Sequence, residues 1–404
     1  MLDKNRLHRY KIFENRYKDH ILINPIIIGG VLPEKTQENL LNRGWLKCGY
    51  ALCFDCIKGR SGLISKPPVR NFLGDIAEFF GGDVAEHTFG CRGAQFAVMK
   101  TVKDNLGKKE FEEHGNVVIV DPLCHYTTAI TAEMAGLRLV EPPHEGYPEY
   151  RLRPEAFAEK IEDVRSKTGK LPSLIVTTHV EPYNGNLQPV KEIGEIAEDY
   201  NVPYMVNAAY TGGILPVNMR EFHADFLTIS AHKSMASHGP LGFLVTTNDW
   251  REKLFRFSSI QMEWSRRTFG NKILNIFGCS IGGLPLISAM YSFPYVSERV
   301  KKWSVELEKT RWLIKELEKI EGITLIGERP HRHHLLHFET PLFWEISKRD
   351  KRRGFFLAEE MLKRGIVGLQ RGLSKHIKLS VYGLSWEEIK KVRDAFLEVA
   401  AMAK

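Results

Sequence analysis

No stretch of the sequence is apolar for long enough to cross a membrane. The first twenty residues, Met1 to His20, are charged throughout and contain no hydrophobic signal core. A cytoplasmic protein is the expectation. Cysteine is scarce, with six (Cys48, Cys53, Cys56, Cys91, Cys124 and Cys279) in 404 residues. In a long chain without a secretory signal these argue against a disulfide framework and leave reactive thiols or metal ligands. There is no internal repeat and no low-complexity tract. Acidic residues are outnumbered, 49 against 57 Lys and Arg, for a net charge of +8. That balance suits an anionic partner such as RNA without establishing one. Hydrophobic residues at 43% and charged residues at 26% are those of a globular enzyme large enough for one large domain and a smaller one.

Residues 1–65 contain Gly29-Gly30, Gly44, Gly49 and Gly59 with little periodicity. They read as an irregular arm with one short helix over 34–43. Between about residues 80 and 247, β-rich runs alternate with helical stretches: 85–88, 117–120, 138–140, 174–178, 203–206, 226–229 and 242–246. This alternation predicts an α/β large domain (66–295) with a seven-stranded, mostly parallel sheet covered on both faces. Ligands bind such sheets at the carboxyl ends of the strands. A charged helical stretch over 295–320 leads into a smaller C-terminal α+β domain (296–404). Its expected strands are 324–326, 334–338 and 377–380, and its expected helices are 355–364 and 386–400.

The chemistry concentrates where those strands end. Lys233, in Ser230-Ala231-His232-Lys233, follows a mostly apolar stretch and lies 26 residues beyond Asn207. A desolvated lysine amine loses its proton readily and forms a Schiff base with an aldehyde. A strand ending in a polar residue, then a strand ending in Ser-x-His-Lys, is the pyridoxal-phosphate arrangement of the aspartate-aminotransferase-like fold, fold type I. The partner of the cofactor ring nitrogen in that fold is usually Asp. Asn207 stands there instead; it can hydrogen-bond the nitrogen but cannot hold it protonated by charge.

Gly90-Cys91-Arg92-Gly93 joins a strand to a helix expected over 94–105, where free amides and the helix dipole suit a cofactor phosphate, with Ser230 and His232 as further donors. His125-Tyr126 occupies the place where an aromatic ring stacks on the cofactor. Cys53-Phe54-Asp55-Cys56 is a CxxC in a glycine-rich arm and not after a strand, which disfavours a thioredoxin-like reading. Cys48 extends it to a spacing also seen around iron-sulfur clusters, with Cys279 as a distant fourth thiol. A persulfide carrier, a metal or cluster site, and small residues filling space all remain open. His331, His333, His334 and His337 read as a solvated strand entry in preference to a metal site. Arg371, Lys375 and Lys378 are read as a wet basic face that could also touch a nucleic-acid backbone.

Taken together, these residues resemble the Sep-tRNA:Cys-tRNA synthases, archaeal enzymes that make cysteine on its tRNA. The resemblance covers nearly the whole chain, from Ile21-Leu22-Ile23-Asn24-Pro25 through Gly49 to Cys56, Cys124-His125-Tyr126, His232-Lys233-Ser234-Met235-Ala236, Gly239-Pro240-Leu241-Gly242 and Gly278-Cys279 to Lys378-Leu379-Ser380-Val381-Tyr382-Gly383. It implies β-elimination of phosphate from O-phosphoseryl-tRNA(Cys) followed by sulfur addition. Lys233 falls on the family's cofactor lysine, Asn207 on the ring-nitrogen partner, His125 on the stacking ring and Arg92 on the phosphate-cup arginine; Cys91, Ser230 and His232 adjoin the cofactor. Cys53, Cys56 and Cys279 fall on its functional cysteines, as persulfide carriers or iron-sulfur ligands. Cys48 falls on no position associated with the family. Arg92, Tyr126 and Arg371 are assigned to the substrate. The resemblance also implies a homodimer, a sulfide or persulfide donor, and phosphoseryl-tRNA synthetase as a partner. The alternatives are a cysteine desulfurase or other lyase acting on free amino acids, and a non-catalytic tRNA-binding protein.

Overall fold

The computed structural model describes residues 15–46, 51–52, 67–256, 259–268 and 281–402. Cys48, Cys53, Cys56 and Cys279 lie outside the described residues. Among the described residues the strands are β1 (Ile21–Leu22), β2 (Ala51–Leu52), β3 (Val84–Thr88), β4 (Val117–Val120), β5 (Arg138–Val140), β6 (Leu174–Thr178), β7 (Tyr204–Asn207), β8 (Phe226–Ile229), β9 (Gly242–Thr246), β10 (Ile281–Gly282), β11 (Thr324–Ile326), β12 (Leu336–Glu339), β13 (Ile366–Val367) and β14 (His376–Leu379).

Seven of them form one sheet in the order β3-β9-β8-β7-β6-β4-β5, in which β9 alone runs antiparallel to its neighbours. Strands β4, β6, β7, β8 and β9 are buried at every position, so their side chains feed two cores by simple alternation. Val117, Ile119, Ile175, Val206 and Leu227 enter one core, which the helix Val69–Phe79 covers with Val69, Phe72, Leu73 and Ile76. Val118, Val120, Leu174, Val176, Met205 and Phe226 enter the other, against Val98, Met99 and Val102 of the helix Gly90–Asn105. Apolar spacing of three and four on both helices is what lets each lie along its face. The fold is the expected α/β sandwich of helices on a mostly parallel sheet.

The helix expected over 94–105 begins earlier, at Gly90. Gly90 has φ +68°, and this left-handed residue turns the chain directly from β3 into the helix. Two glycines in the first turn, poor helix formers, masked that start in the sequence. The charged stretch over 295–320 is two helices, Gly283–Lys301 and Trp303–Leu317, the first with Pro294 inside it.

The chain falls into two compact units. One comprises Ile26–Glu308 and Ile326–Leu336 and holds the seven-stranded sheet; within it β2 pairs antiparallel with β10, Leu52 opposite Ile281. The other comprises the described residues up to Pro25 with Lys309–Leu325 and His337–Lys404. There β1 pairs parallel with β13, Ile21 opposite Ile366, so part of the expected irregular arm is a strand. The helix Trp386–Ala401 of this unit is opened by a capping box between Ser385 and Glu388. The three-stranded sheet runs β11-β12-β14.

Candidate active site

A cavity of about 200 Å³ opens at the carboxyl ends of β3, β4, β6, β7 and β8, lined among others by Cys91, Arg92, His125, Tyr126, Thr178, Asn207, Tyr210, Ser230, His232 and Lys233. Most of the residues singled out from the sequence therefore meet in one place. Arg371 belongs to the other compact unit, in the exposed turn before β14.

Lys233 lies on a one-turn helix, Ala231–Ser234, that follows β8 directly. Its amine sits 4.7 Å from the centre of the Tyr210 ring. Burial lowers its pKa from the ordinary lysine value, which favours the neutral amine a carbonyl chemist needs. The turn is held from beneath. Arg299, buried, donates from Nε to the Gly213 carbonyl at 2.8 Å and from Nη2 to those of Gly29 at 3.0 Å and Ser234 at 2.6 Å. A Cβ on Gly29 would come within 2.6 Å of the Lys233 carbonyl, and one on Gly30 within 2.1 Å of that of His232. The glycine pair of the supposed arm is thus the floor under the lysine. Neither Arg299 nor Tyr210 had been singled out as a site residue, because both reach the lysine only through long-range packing.

Asn207 ends β7 and is buried. Its Oδ1 accepts from the Ala209 amide at 3.1 Å and from the Cys91 thiol at 3.3 Å. A backbone N–H can only donate, so the amide orientation is fixed. Nδ2 makes no hydrogen bond among the described residues and is the group left for the cavity, an N–H donor suited to an unprotonated ring nitrogen. The Cys91 thiol also lies 3.3 Å from Thr228 Oγ1 and accepts from Gln95 Nε2 at 3.3 Å. Burial pushes its pKa up, keeping it a thiol.

His125 caps the helix Tyr126–Ala135. Its Nδ1 accepts from the Thr127 amide at 3.3 Å and lies 2.8 Å from Thr127 Oγ1, which puts the ring proton on Nε2. Burial, then the Lys233 and Arg92 cations, push its pKa down to about 4, so at neutral pH it is an uncharged flat ring. Arg92 reaches outward and donates to the Tyr126 hydroxyl at 3.1 Å. His232 lies 3.0 Å through Nδ1 from the Leu241 carbonyl, and burial lowers its pKa too. Thr178 Oγ1, on the cavity wall, is buried without a partner among the described residues.

These groups fit pyridoxal phosphate. The helix Gly90–Asn105 has no side-chain cap, so its first amides are open to a phosphate. Asn207 Nδ2 suits the ring nitrogen, Thr178 offers an unsatisfied hydroxyl, neutral His125 offers a stacking face, and Lys233 offers the amine.

The histidine tract is a correction. His331, His333 and His334 are buried, not solvated. Backbone groups meet two of the rings: His331 Nε2 donates to the Leu335 carbonyl at 2.8 Å, while His333 takes the Leu335 amide on Nδ1 at 3.1 Å and donates from Nε2 to the Tyr210 carbonyl at 3.2 Å. Among the described residues no cluster of His, Cys, Asp or Glu could hold a metal. Burial pushes His179 and His334 down to about 3, and His333 well down as well. Between about pH 3 and 6.5 the unfolded chain therefore binds more protons than the folded one, so stability is full above about pH 6.5 and falls as pH drops. Asp121, pushed up to about 7 by burial, and Asp225, also raised by burial, act oppositely, while His125 and His337, each pushed down to about 4, and the lowered His232 act in the same direction as the three histidines. Acidification from pH 6.5 to 5 is expected to cost about 1–2 kcal/mol per buried histidine, read by urea unfolding at the two pH values.

The chain matches the aminotransferase class-V family over residues 69–344. It is 45% identical over 95% of its length to an O-phospho-L-seryl-tRNA:Cys-tRNA synthase 2 of Archaeoglobus fulgidus, of which the match also spans 95%. It is 41% identical over 98% of its length to the O-phospho-L-seryl-tRNA:Cys-tRNA synthase of Methanopyrus kandleri, 97% of which is matched. A chain in the crystal structure of a SepCysS–SepCysE N-terminal domain complex superimposes with a TM-score of 0.86 at 39% identity, over the full length of both. A cysteine desulfurase from Thermococcus onnurineus shares the fold alone, with a TM-score of 0.71 at 16% identity over 95% of each chain. Within the class-V aminotransferase fold, this chain belongs to the O-phospho-L-seryl-tRNA:Cys-tRNA synthase family.

Proposed function

We propose that this chain converts O-phosphoseryl-tRNA(Cys) to cysteinyl-tRNA(Cys), replacing the β-phosphate of the seryl group with sulfur. The observation that carries the reading is the conjunction at the cavity of Lys233 with Asn207, an amide whose free N–H is a donor, where related chemistries place a carboxylate. Pyridoxal phosphate, when bound, supplies an electron sink for the α-carbon of the amino acid. Lys233 anchors the cofactor and, once displaced by the substrate amine, takes the Cα proton on Nζ. A hydrogen bond donated by Asn207 Nδ2 would leave the ring nitrogen unprotonated, a weaker sink that would favour expulsion of a good leaving group over storage of charge. Neutral His125 covers the ring without placing a second positive charge beside Lys233. Arg92 and Tyr126, joined at the cavity mouth, are placed to receive the anionic leaving group.

Sulfur delivery is assigned to Cys53, Cys56 and Cys279, as a persulfide: its outer sulfur adds to Cβ, a second of these thiols attacks the resulting enzyme–product disulfide and releases the cysteinyl thiol, and the enzyme disulfide so formed is opened by incoming sulfide, which regenerates one thiol and the persulfide without an outside oxidant. β2, which ends at Leu52, and β10, which begins at Ile281, pair with each other, and the three cysteines themselves lie outside the described residues. An iron-sulfur cluster on the same thiols is the competing form. The reading further includes a homodimer in the cytoplasm, supplied with substrate by phosphoseryl-tRNA synthetase. A relative of the SepCysE seen with the structural neighbour is an additional partner. No helix among the described residues is long and apolar enough to cross a membrane.

The test is substrate choice. Free O-phosphoserine should release phosphate far more slowly than O-phosphoseryl-tRNA, on the order of 10²-fold or more in kcat/KM, because binding energy from the tRNA is what positions Cβ. Equal rates would make the protein a small-molecule lyase.

A further inference from the structure

Charge is concentrated in one short part of the chain. Between Pro341 and Lys378 there are ten Lys and Arg against four Asp and Glu, a net +6 out of +8 for all 404 residues. The segment lies wholly in the compact unit that does not contain the cavity.

Two of its turns share a pattern. Arg353-Gly354-Phe355 forms a 3₁₀ turn after the helix Pro341–Arg349, and Arg371-Gly372-Leu373 forms the turn before β14. They pack glycine to glycine, since a Cβ on Gly354 would lie 2.3 Å from the Gly372 carbonyl oxygen. Each turn then presents one exposed cation and one exposed apolar side chain, with Phe355 49% and Leu373 44% exposed.

Arg349, Lys351 and Lys375 add exposed cations on the flanking residues, and none of these five makes an ion pair within 4 Å among the described residues. The neighbouring acids are otherwise engaged: Glu345 pairs with Lys348, and Asp350, Glu359 and Glu360 with Arg352. Hydrogen bonds tie the segment together. Thr340 donates from its backbone to the Lys375 carbonyl at 2.7 Å and from its hydroxyl to that of Ser374 at 2.9 Å, and Ser374 bonds Ser347 at 3.0 Å.

We infer that the paired Arg-Gly-Phe and Arg-Gly-Leu turns are a docking surface for the RNA part of the substrate, with Arg353 and Arg371 on backbone phosphates and Phe355 under an unstacked base. The inference rests on the tRNA-linked reading of the function. Unpaired cations release counterions when they meet phosphates, so they contribute most to a polyanion. An exposed aromatic among them is what single-stranded RNA stacks upon. A protein partner would need a larger apolar centre than one phenylalanine and one leucine.

The test is direct binding of a fluorescently labelled tRNA(Cys) transcript to the full-length holoprotein across a salt series, with cofactor uptake as the folding control. Arg353→Glu combined with Arg371→Glu should weaken binding at least tenfold near 0.1 M salt and lower the slope of log affinity against log salt by about 2. Phe355→Ala should weaken binding about fivefold or more with the slope unchanged. In turnover both variants should raise KM for O-phosphoseryl-tRNA and leave the rate on free O-phosphoserine alone. Unchanged tRNA affinity and slope in the double variant would overturn the docking surface while the functional reading stood; the same result with loss of a bound partner protein would assign the turns to that protein. A wild-type protein that handled free and tRNA-linked O-phosphoserine alike would overturn the functional reading, and the inference with it.

Discussion

Lys233→Ala should reduce cysteinyl-tRNA formation by about 10³- to 10⁴-fold or to background, because it removes both the cofactor anchor and the group that takes the Cα proton. Lys233 is the only lysine on the cavity wall among the described residues, so none stands ready to replace it. Borohydride should then fix no cofactor to the variant, whereas in the unaltered protein the reduced cofactor should map to the peptide carrying Lys233. The fold should survive. Burial holds the Lys233 amine below its usual pKa, a sign that the folded state disfavours the cation, so alanine should leave the thermal midpoint of the cofactor-free protein unchanged or raised. Retention of a reducible adduct and of activity would contradict the assignment.

Asn207→Asp should act in the opposite manner, sparing binding and altering outcome. The aspartate would still accept from the Ala209 amide, but its second oxygen would face the cavity where Nδ2 now donates. In the empty protein that oxygen is a buried charge without a partner, expected to cost about 1–3 kcal/mol, seen as a lowered unfolding midpoint. Adding pyridoxal phosphate should recover most of the loss, because a protonated ring nitrogen would pair with the carboxylate. A protonated ring is also a stronger electron sink, so product should divert towards transamination, with pyridoxamine phosphate accumulating during turnover. Unaltered stability and an unaltered product ratio would mean that Asn207 does not meet the ring.

The sheet was legible because its strands are short apolar runs buried on both faces, and such runs announce themselves without tertiary context: 117–120, 174–178, 226–229 and 242–246 are strands to the residue. Lys233, Asn207, His125 and Arg92 stood out since each follows such a run, and strand ends are where this architecture collects polar side chains. The supports of Lys233 were not legible. Gly29-Gly30 and Arg299 reach the lysine turn from parts of the chain more than sixty residues away, and only the carbonyls they approach reveal their use. Tyr210 stands three residues beyond Asn207, yet its ring acquires meaning only once β7 and β8 are neighbours. The histidine tract was misjudged for a related reason. Alternation along a strand suggests one wet face, but here backbone carbonyls and an amide receive the His331 and His333 rings inside the core.

The central claim, that sulfur replaces phosphate while the amino acid stays on tRNA, is met most directly by supplying the holoprotein with O-phosphoseryl-tRNA(Cys) and radiolabelled sulfide without oxygen. The labelled product is then hydrolysed from the purified tRNA. The account predicts labelled cysteine recovered from the tRNA, one for each phosphate released. Phosphate release that leaves no label on the tRNA, or labelled cysteine arising only from free O-phosphoserine, would contradict it.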